Sequence, residues 1–123
     1  MTDTNLRAIF TAFAEVCSRA IWADPEWRAD EYQLHPISAK DPDSGVLDAR
    51  VEVMPRSGQG EVHTIRVTVR ALDGDAAEVT VGKHSTGRVS LVGGALVADQ
   101  PDKIKQVADE ARGIAVAWAT RTR

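Results

Sequence analysis

Three histidines are the first residues to consider for acid–base or metal chemistry. His84 stands beside Ser85 in a short polar segment, which places a general base next to a nucleophile. Adjacent residues seldom reach the geometry that this chemistry needs, and the serine lies outside any Gly-x-Ser-x-Gly motif. His35 and His63 are far from His84 in sequence, and no two histidines have the spacing of a helical metal site. The sequence predicts no catalytic residues, no metal site and no cofactor, and it favours a non-catalytic protein while leaving enzymatic activity an open question.

Two other groups of residues could bind a ligand. Tyr32, His63 and His84 would meet if a pocket formed between a sheet and its helices. Arg66 and Arg70 alternate with threonines along one predicted strand, and such a row could bind phosphate or another anion. Acidic side chains are predicted on the same sheet face, so ordinary cross-strand charge pairs are the simpler interpretation.

The C-terminal segment from Gly113 to Thr120 contains no charged residue over more than two helical turns. A surface helix should have a polar face in such a stretch. Gly113 also costs about 1 kcal/mol relative to alanine inside a helix, which is reasonable where another backbone packs closely. We therefore expect Gly113, Val116 and Ala117 to contribute to a homodimer interface. The alternative is that the N-terminal helix and the segment around Trp27 cover this helix within one chain.

Two tryptophans point to the same kind of surface. Trp22 lies off the apolar stripe of the first predicted helix, and Trp27 follows in a polar segment. Because tryptophan is enriched at protein interfaces, we expect both to contact a partner. The alternative is that they pack on each other and fix residues 24–37 to the rest of the domain.

The elements that carry these residues follow from the hydrophobic pattern. Apolar residues at spacings of three and four from Leu6 to Ile21, with Val16 and Ala20 among them, form one stripe and predict an N-terminal helix. The helix should end near Ala23, because Asp24 precedes a proline. A similar stripe begins at Pro101 and predicts a C-terminal helix. Between them, short alternating runs with short connections predict antiparallel strands. We expect an α+β two-layer sandwich, with both helices on one face of an antiparallel meander of four or five strands. The predicted strands lie near 31–35, 46–54, 62–72, 76–82 and 89–97, the last interrupted at a pair of glycines. Composition also predicts a turn at 39–45 and a loop at 83–87.

Composition limits the class of protein. The chain of 123 residues fits a single domain, 1–123, that needs no disulfide, and its one cysteine cannot form an internal one. A net charge of −3 without a basic cluster makes nucleic-acid binding unlikely. No apolar run is long enough to cross a bilayer, and the first five residues lack the positive charge of a secretory signal. We expect a cytoplasmic protein without membrane contact, and the 18 alanines with 11 arginines against 4 lysines suggest a bacterial source.

These observations favour a small non-catalytic binding or adaptor protein that acts as a homodimer, of the chaperone, immunity or assembly-factor type. One alternative is an enzyme or ligand-binding domain with a pocket between sheet and helices. A further, less favoured alternative is nucleic-acid binding through the arginine-bearing sheet face.

Overall fold

The computed structural model describes residues 3–38 and 45–121. An N-terminal helix, six antiparallel strands and a C-terminal helix follow one another along the chain. The strands form one sheet in sequence order, so every strand pairs with its neighbours in the chain. The predicted α+β class, the meander and the placement of both helices on one sheet face are confirmed. The elements are α1 (Asp3–Trp22), β1 (Tyr32–Ser38), β2 (Val46–Pro55), β3 (His63–Ala71), β4 (Ala77–Val81), β5 (His84–Val92), β6 (Ala95–Ala98) and α2 (Pro101–Arg121).

The strand count of four or five was too low by one or two. The pair Gly93–Gly94, expected to break or bulge a strand, is instead the two-residue turn between β5 and β6. Both glycines have positive φ, +59° and +81°, and this combination gives the twist that a tight antiparallel hairpin requires. The predicted loop at 83–87 is also shorter than expected, because β5 already begins at His84. Most of the predicted turn at 39–45 lies outside the described residues.

A β-bulge between β4 and β5 sets the orientation of everything that follows it. Glu78 pairs with Arg88 but Thr80 pairs with Ser85, so two residues of β5, Thr86 and Gly87, oppose Val79 alone. Because side chains alternate along a strand, one extra residue exchanges the two faces. The bulge therefore directs the Arg88 side chain outward, and after it the side chains of β5 alternate between the two sheet faces in step with those of β4.

The core lies between the concave sheet face and the two helices. Leu6, Phe13 and Cys17 of α1 are at most 1% exposed, and they pack against the inward side chains of the strands. Ala111 and Ala115 of α2 are buried in the same cluster. The flank of α1 that carries Val16 and Ala20, expected to belong to the inner stripe, remains partly open. In the described residues, no helix is long and apolar enough to cross a membrane.

Candidate functional site

An open groove runs between the C-terminal half of α1 and the N-terminal half of α2. Its volume is about 500 Å³. The α1 side is formed by Val16, Ala20 and Ala23, which follow one another at helical spacing along one flank. Ile104 stands on the α2 side. Apolar side chains thus line most of a surface that solvent can reach. The other lining residues are Asp24, Pro25, Pro101, Lys105, Ala108, Asp109 and Arg112.

The charged side chains that line this groove, Asp24, Lys105, Asp109 and Arg112, have a formal charge that sums to zero. Arg112 donates to the Asp24 carboxylate at 2.6 Å, and its Nε lies 3.4 Å from Asp109. The Glu26 backbone N–H also donates to Asp24, at 2.9 Å. This backbone hydrogen bond, followed by that from Arg112, lowers the pKa of Asp24 below its ordinary value. The Asp24–Arg112 ion pair therefore fixes the end of α1 against α2. The apolar floor of the groove remains as its main recognition element.

A second cleft adjoins the first along α1. It has a volume of about 390 Å³ and lies between α1 and the tip of the β5–β6 hairpin. Val16 lines both clefts, so the two clefts adjoin at this residue. From Ala12 to Ala23 the chain advances about 16 Å, or three helical turns. We call the two adjoining clefts together the α1 trough. The second cleft is lined by Ala12, Glu15, Val16, Arg19, Gly93, Gly94, Ala95 and Leu96.

Sequence reasoning missed the α1 trough. Its residues are alanine, valine and isoleucine in helical patterns, which are expected in a core. One signal was present: alanines at positions 12, 20 and 23 widen the apolar stripe of α1 beyond what the sheet alone can cover.

An aromatic cluster occupies the opposite end of the sheet. Trp118 of α2 stacks on His63 of β3, with ring centroids 5.6 Å apart and planes 12° apart. Tyr32 of β1 meets the same indole edge-on at 5.4 Å, and Trp27 lies 6.1 Å from Tyr32. The indole of Trp118 is thus enclosed by ring contacts. Among the residues that the structure describes, the buried Trp27 Nε1–H has no hydrogen-bond partner. Two of the three expected pocket residues, Tyr32 and His63, are therefore brought together around Trp118.

A cleft of about 520 Å³ lies beside this cluster, and Tyr32 and Trp118 form part of its wall. The remaining wall consists of polar loops, with carboxylates at Asp30, Glu31 and Glu61. His63 is not among its lining residues. The cleft is consequently a polar surface depression beside a filled aromatic cluster. Its other lining residues are Pro55, Arg56, Ser57, Gln59 and Gly60.

The other two histidines lie elsewhere. His84 begins β5, and its Nε2 is 3.4 Å from a carboxylate oxygen of Glu110 on α2. His35 is exposed on β1. Ser85 donates to Glu78 at 2.7 Å and does not contact His84 in any described hydrogen bond. The histidine–serine pair thus lacks the arrangement of a base and its nucleophile.

The convex sheet face carries the arginines. Arg70 pairs with Glu78 at 2.5 Å, as cross-strand charge pairing predicts. Arg66 lies directly opposite Arg50 in the β2–β3 register, and Arg50 approaches Glu52 at 3.4 Å. Arg66 forms no ion pair within the described residues. A shallow depression of about 640 Å³ surrounds Arg50 and Arg66, and Asp48 and Glu52 also line it. Its formal charge therefore sums to zero.

The expected interface residues divide into covered and open ones. Trp27 is 7% exposed and Val116 is 8% exposed, so both are buried within one chain. Trp22 is 49% exposed, and Gly113 and Ala117 are also open to solvent. A Cβ added at Gly113 would meet no heavy atom within 4 Å. Packing inside the chain therefore accounts for part of the uncharged segment, and a narrow face of α2 remains open.

Cys17 is buried in the core, where desolvation raises the pKa of its thiol to about 12. Among the residues that the structure describes, no three histidine, cysteine or carboxylate side chains are grouped as metal ligands would be. Comparison with protein-family models, curated proteins and solved structures finds no match. The candidate site rests on the geometry of this chain alone.

Proposed function

We propose that this protein binds a segment of a partner protein in the α1 trough and acts without catalysis, as an adaptor, chaperone or assembly factor does. The observation that carries the proposal is the row of small apolar side chains Ala12, Val16, Ala20 and Ala23 along one flank of α1, which lines two adjoining open clefts beside α2 and the β5–β6 hairpin. A groove with an apolar floor and a few charged side chains at its rim is a common form of binding site for a segment of another protein. The trough length of about three helical turns suits a short segment.

The charge distribution agrees with a partner segment of low charge. Arg112 is occupied by Asp24 and Asp109, and Glu15 binds Arg19 at 2.7 Å on the other side of the trough. A charged segment would compete with these pairs, whereas an apolar one leaves them intact. The binding energy then comes from apolar area, at about 25 cal/mol per Å² before the costs of association.

Photo-crosslinking from defined positions tests this function. A benzophenone amino acid replaces Ala23 in the trough, Ala117 on the open face of α2, or Thr64 on the convex sheet face; all three residues are exposed. In cells that express the protein, we expect one discrete adduct from position 23 that is absent from position 64, with the partner identified by mass spectrometry. Equal adducts at 23 and 64, or none at 23, would contradict the proposal.

The homodimer is a second part of the proposal. Gly113 and Ala117 leave a narrow uncharged face on α2 where another backbone can approach closely. A crosslink to a second copy from position 117, together with a dimer in sedimentation at tens of micromolar, is the expected result. A monomer at that concentration would contradict the homodimer proposal and would leave the proposal of a partner-binding site unaffected. We also propose a cytoplasmic location and a bacterial source.

Ligand binding beside the aromatic cluster is a second candidate function. The observation that favours it is the convergence of Tyr32 and His63 on Trp118 next to a cleft of about 520 Å³. The Trp27 Nε1–H, which is buried without a partner in the described part of the chain, is a further hydrogen-bond donor nearby. Screening a small-molecule library by protein-observed NMR tests it. Shifts that cluster at Tyr32 and Trp118 would support a ligand site, and shifts confined to the α1 trough would favour the protein-binding function.

A further inference from the structure

Charge distinguishes one of the four clefts described above. The formal charges that line the two clefts of the α1 trough cancel, and so do those around Arg66 on the convex sheet face. The cleft beside the aromatic cluster differs, because three carboxylates and one guanidinium line it, which leaves two negative charges in excess. The field of such charges is concentrated within a cleft, where it attracts ions of the opposite sign. This cleft is therefore suited to a positively charged ligand.

Two of the three carboxylates already have a cationic neighbour, and the third does not. Glu31 pairs with Arg28 at 2.6 Å, and Arg28 Nε lies 3.8 Å from Asp30. Arg28 is not among the residues that line the cleft, and one negative charge remains in excess when it is counted. Glu61 is exposed and forms no ion pair within the described residues. A cation can therefore pair with Glu61 without breaking another ion pair.

The same cleft has an aromatic wall. Trp118 is only 6% exposed, whereas Tyr32 is partly exposed, so Tyr32 presents the larger ring surface to the cleft. Its ring packs between two indoles, with centroids 6.1 Å from Trp27 and 5.4 Å from Trp118. These contacts fix the ring before a ligand arrives, so little side-chain freedom is lost on binding. The face of an aromatic ring attracts a cation within about 6 Å of its centroid.

The composition of the wall distinguishes between classes of charged ligand. An anion would meet one guanidinium, that of Arg56, whose Nε already donates to the Ala29 carbonyl at 2.6 Å, and would be repelled by the three carboxylates. A hard metal ion needs several oxygen ligands at close range, and no three such side chains in the described part of the chain are grouped in this way. An alkyl-substituted ammonium group has both a charge for the Glu61 carboxylate and apolar surface for the Tyr32 ring. The cleft volume of about 520 Å³ is sufficient for a small organic molecule.

We propose that the cleft beside the aromatic cluster binds a small organic cation with an alkyl-substituted ammonium group. The Glu61 carboxylate pairs with the positive charge, and the Tyr32 ring contacts the alkyl substituents. This inference rests on the second candidate function, ligand binding beside the aromatic cluster, and specifies the chemical class of the ligand. It is independent of partner binding in the α1 trough, because none of the residues that line this cleft lines the trough.

A matched pair of probes tests the charge of the ligand. Choline carries a trimethylammonium group, and the alcohol in which a tert-butyl group replaces it has nearly the same shape without the charge. Each is titrated to millimolar concentration into the full ¹⁵N-labelled chain, with the ionic strength held constant by sodium chloride. We expect choline to shift the amide signals of Tyr32 and Glu61 and the Trp118 indole signal, and the neutral alcohol to bind at least about tenfold more weakly. Equal affinity of the two probes would overturn the proposal, because shape alone would then account for binding.

A matched pair of variants tests the contribution of the free carboxylate. Glu61→Gln removes one exposed negative charge from the cleft, and we expect the choline affinity to fall at least about threefold at low salt. Asp75→Asn removes the same charge from the exposed turn between β3 and β4, outside the cleft, and should leave the affinity unchanged. Since neither side chain is buried, both variants should retain the urea midpoint of the unsubstituted chain. An equal loss of affinity in both variants, or no loss in Glu61→Gln, would overturn the proposal.

The remaining outcomes separate the class of ligand from the existence of a ligand site. Shifts at Tyr32 and Trp118 from uncharged library compounds, without a response to choline, would overturn the cation class but agree with ligand binding at this cleft. A cleft that responds neither to choline nor to the library would overturn both. Choline-induced shifts confined to Ala20 and Ala23 in the α1 trough would also overturn the proposal.

Discussion

Replacing Thr86 by valine tests the bulge that orients the C-terminal strands. Thr86 is 1% exposed and is the one buried polar side chain in the described part of the chain. Its Oγ1 accepts a hydrogen bond from the Val79 N–H at 3.1 Å and donates one to the Gly87 carbonyl at 2.8 Å. Valine has nearly the same shape and can make neither bond. The Val79 N–H, which faces two bulge residues rather than one, would then be buried without an acceptor.

The expected loss of stability follows from those two hydrogen bonds of Thr86. Each contributes about 1 kcal/mol, and the stranded Val79 N–H adds a desolvation penalty, so Thr86→Val should lower the free energy of unfolding by about 2–3 kcal/mol. Thr86→Ser retains both bonds and loses one buried methyl group, which costs about 1 kcal/mol. Urea denaturation followed by tryptophan fluorescence measures both variants. If Thr86→Val were as stable as Thr86→Ser, the hydroxyl would not hold the bulge and the reasoning would be refuted.

Three further predictions concern charges and the thiol. The lowered pKa of Asp24 means that its ionised form stabilises the fold above its ordinary pKa of about 3.9 and that this contribution is lost as the pH falls through the lower folded-state value. The unfolding free energy of the protein should therefore exceed that of Asp24→Asn at pH 6, and the difference should vanish in acid; a pH-independent difference would contradict a stabilising role for the Asp24 charge, which the Glu26 N–H and Arg112 both contact. Arg66→Gln should change the free energy of unfolding by no more than a few tenths of a kcal/mol, because the repulsion from Arg50 that it removes is offset by lost attraction to Asp48 and Glu52; a loss above about 1 kcal/mol in urea denaturation would contradict this balance. With a thiol pKa near 12 rather than 9.0, Cys17 should react with a disulfide reagent at least about a thousandfold more slowly in the folded protein than after denaturation, and rapid labelling of the folded protein would show that the thiol is accessible.

The order and type of elements were predictable because hydrophobic periodicity dominates them. The stripe from Leu6 to Ile21 and the alternation in β2 and β3 are long enough to be unambiguous. Gly93–Gly94 was harder, since a glycine pair is compatible with a bulge, a break or a turn. The strands on either side are short, and only their pairing decides between these possibilities. The number of strands in the sheet therefore depends on how the strands on either side of these two glycines pair.

The candidate site was less predictable than the fold. Val16 and Ala20 satisfy the pattern of a core stripe, yet they lie on the flank of α1 where the sheet and α2 leave a gap. The width of this gap depends on the distance between α1 and its neighbours, and the hydrophobic pattern of one helix gives no information about that distance. The prediction for Trp27 failed in the opposite direction, because a residue expected to be exposed is buried. Its polar neighbours suggested exposure, but the turn after α1 places it beneath Tyr32 in the core.

The affinity of the crosslinked partner for Ala20→Arg most directly tests the claim that the α1 trough is the binding site. Ala20 is partly exposed in the middle of the trough, so an arginine fills it without replacing a core side chain. Thr64→Arg on the convex sheet face adds the same charge and bulk at an exposed position and serves as the control. We predict that Ala20→Arg weakens binding at least about tenfold, equivalent to about 1.4 kcal/mol, while Thr64→Arg leaves it unchanged. Equal affinity of the two variants would contradict the account.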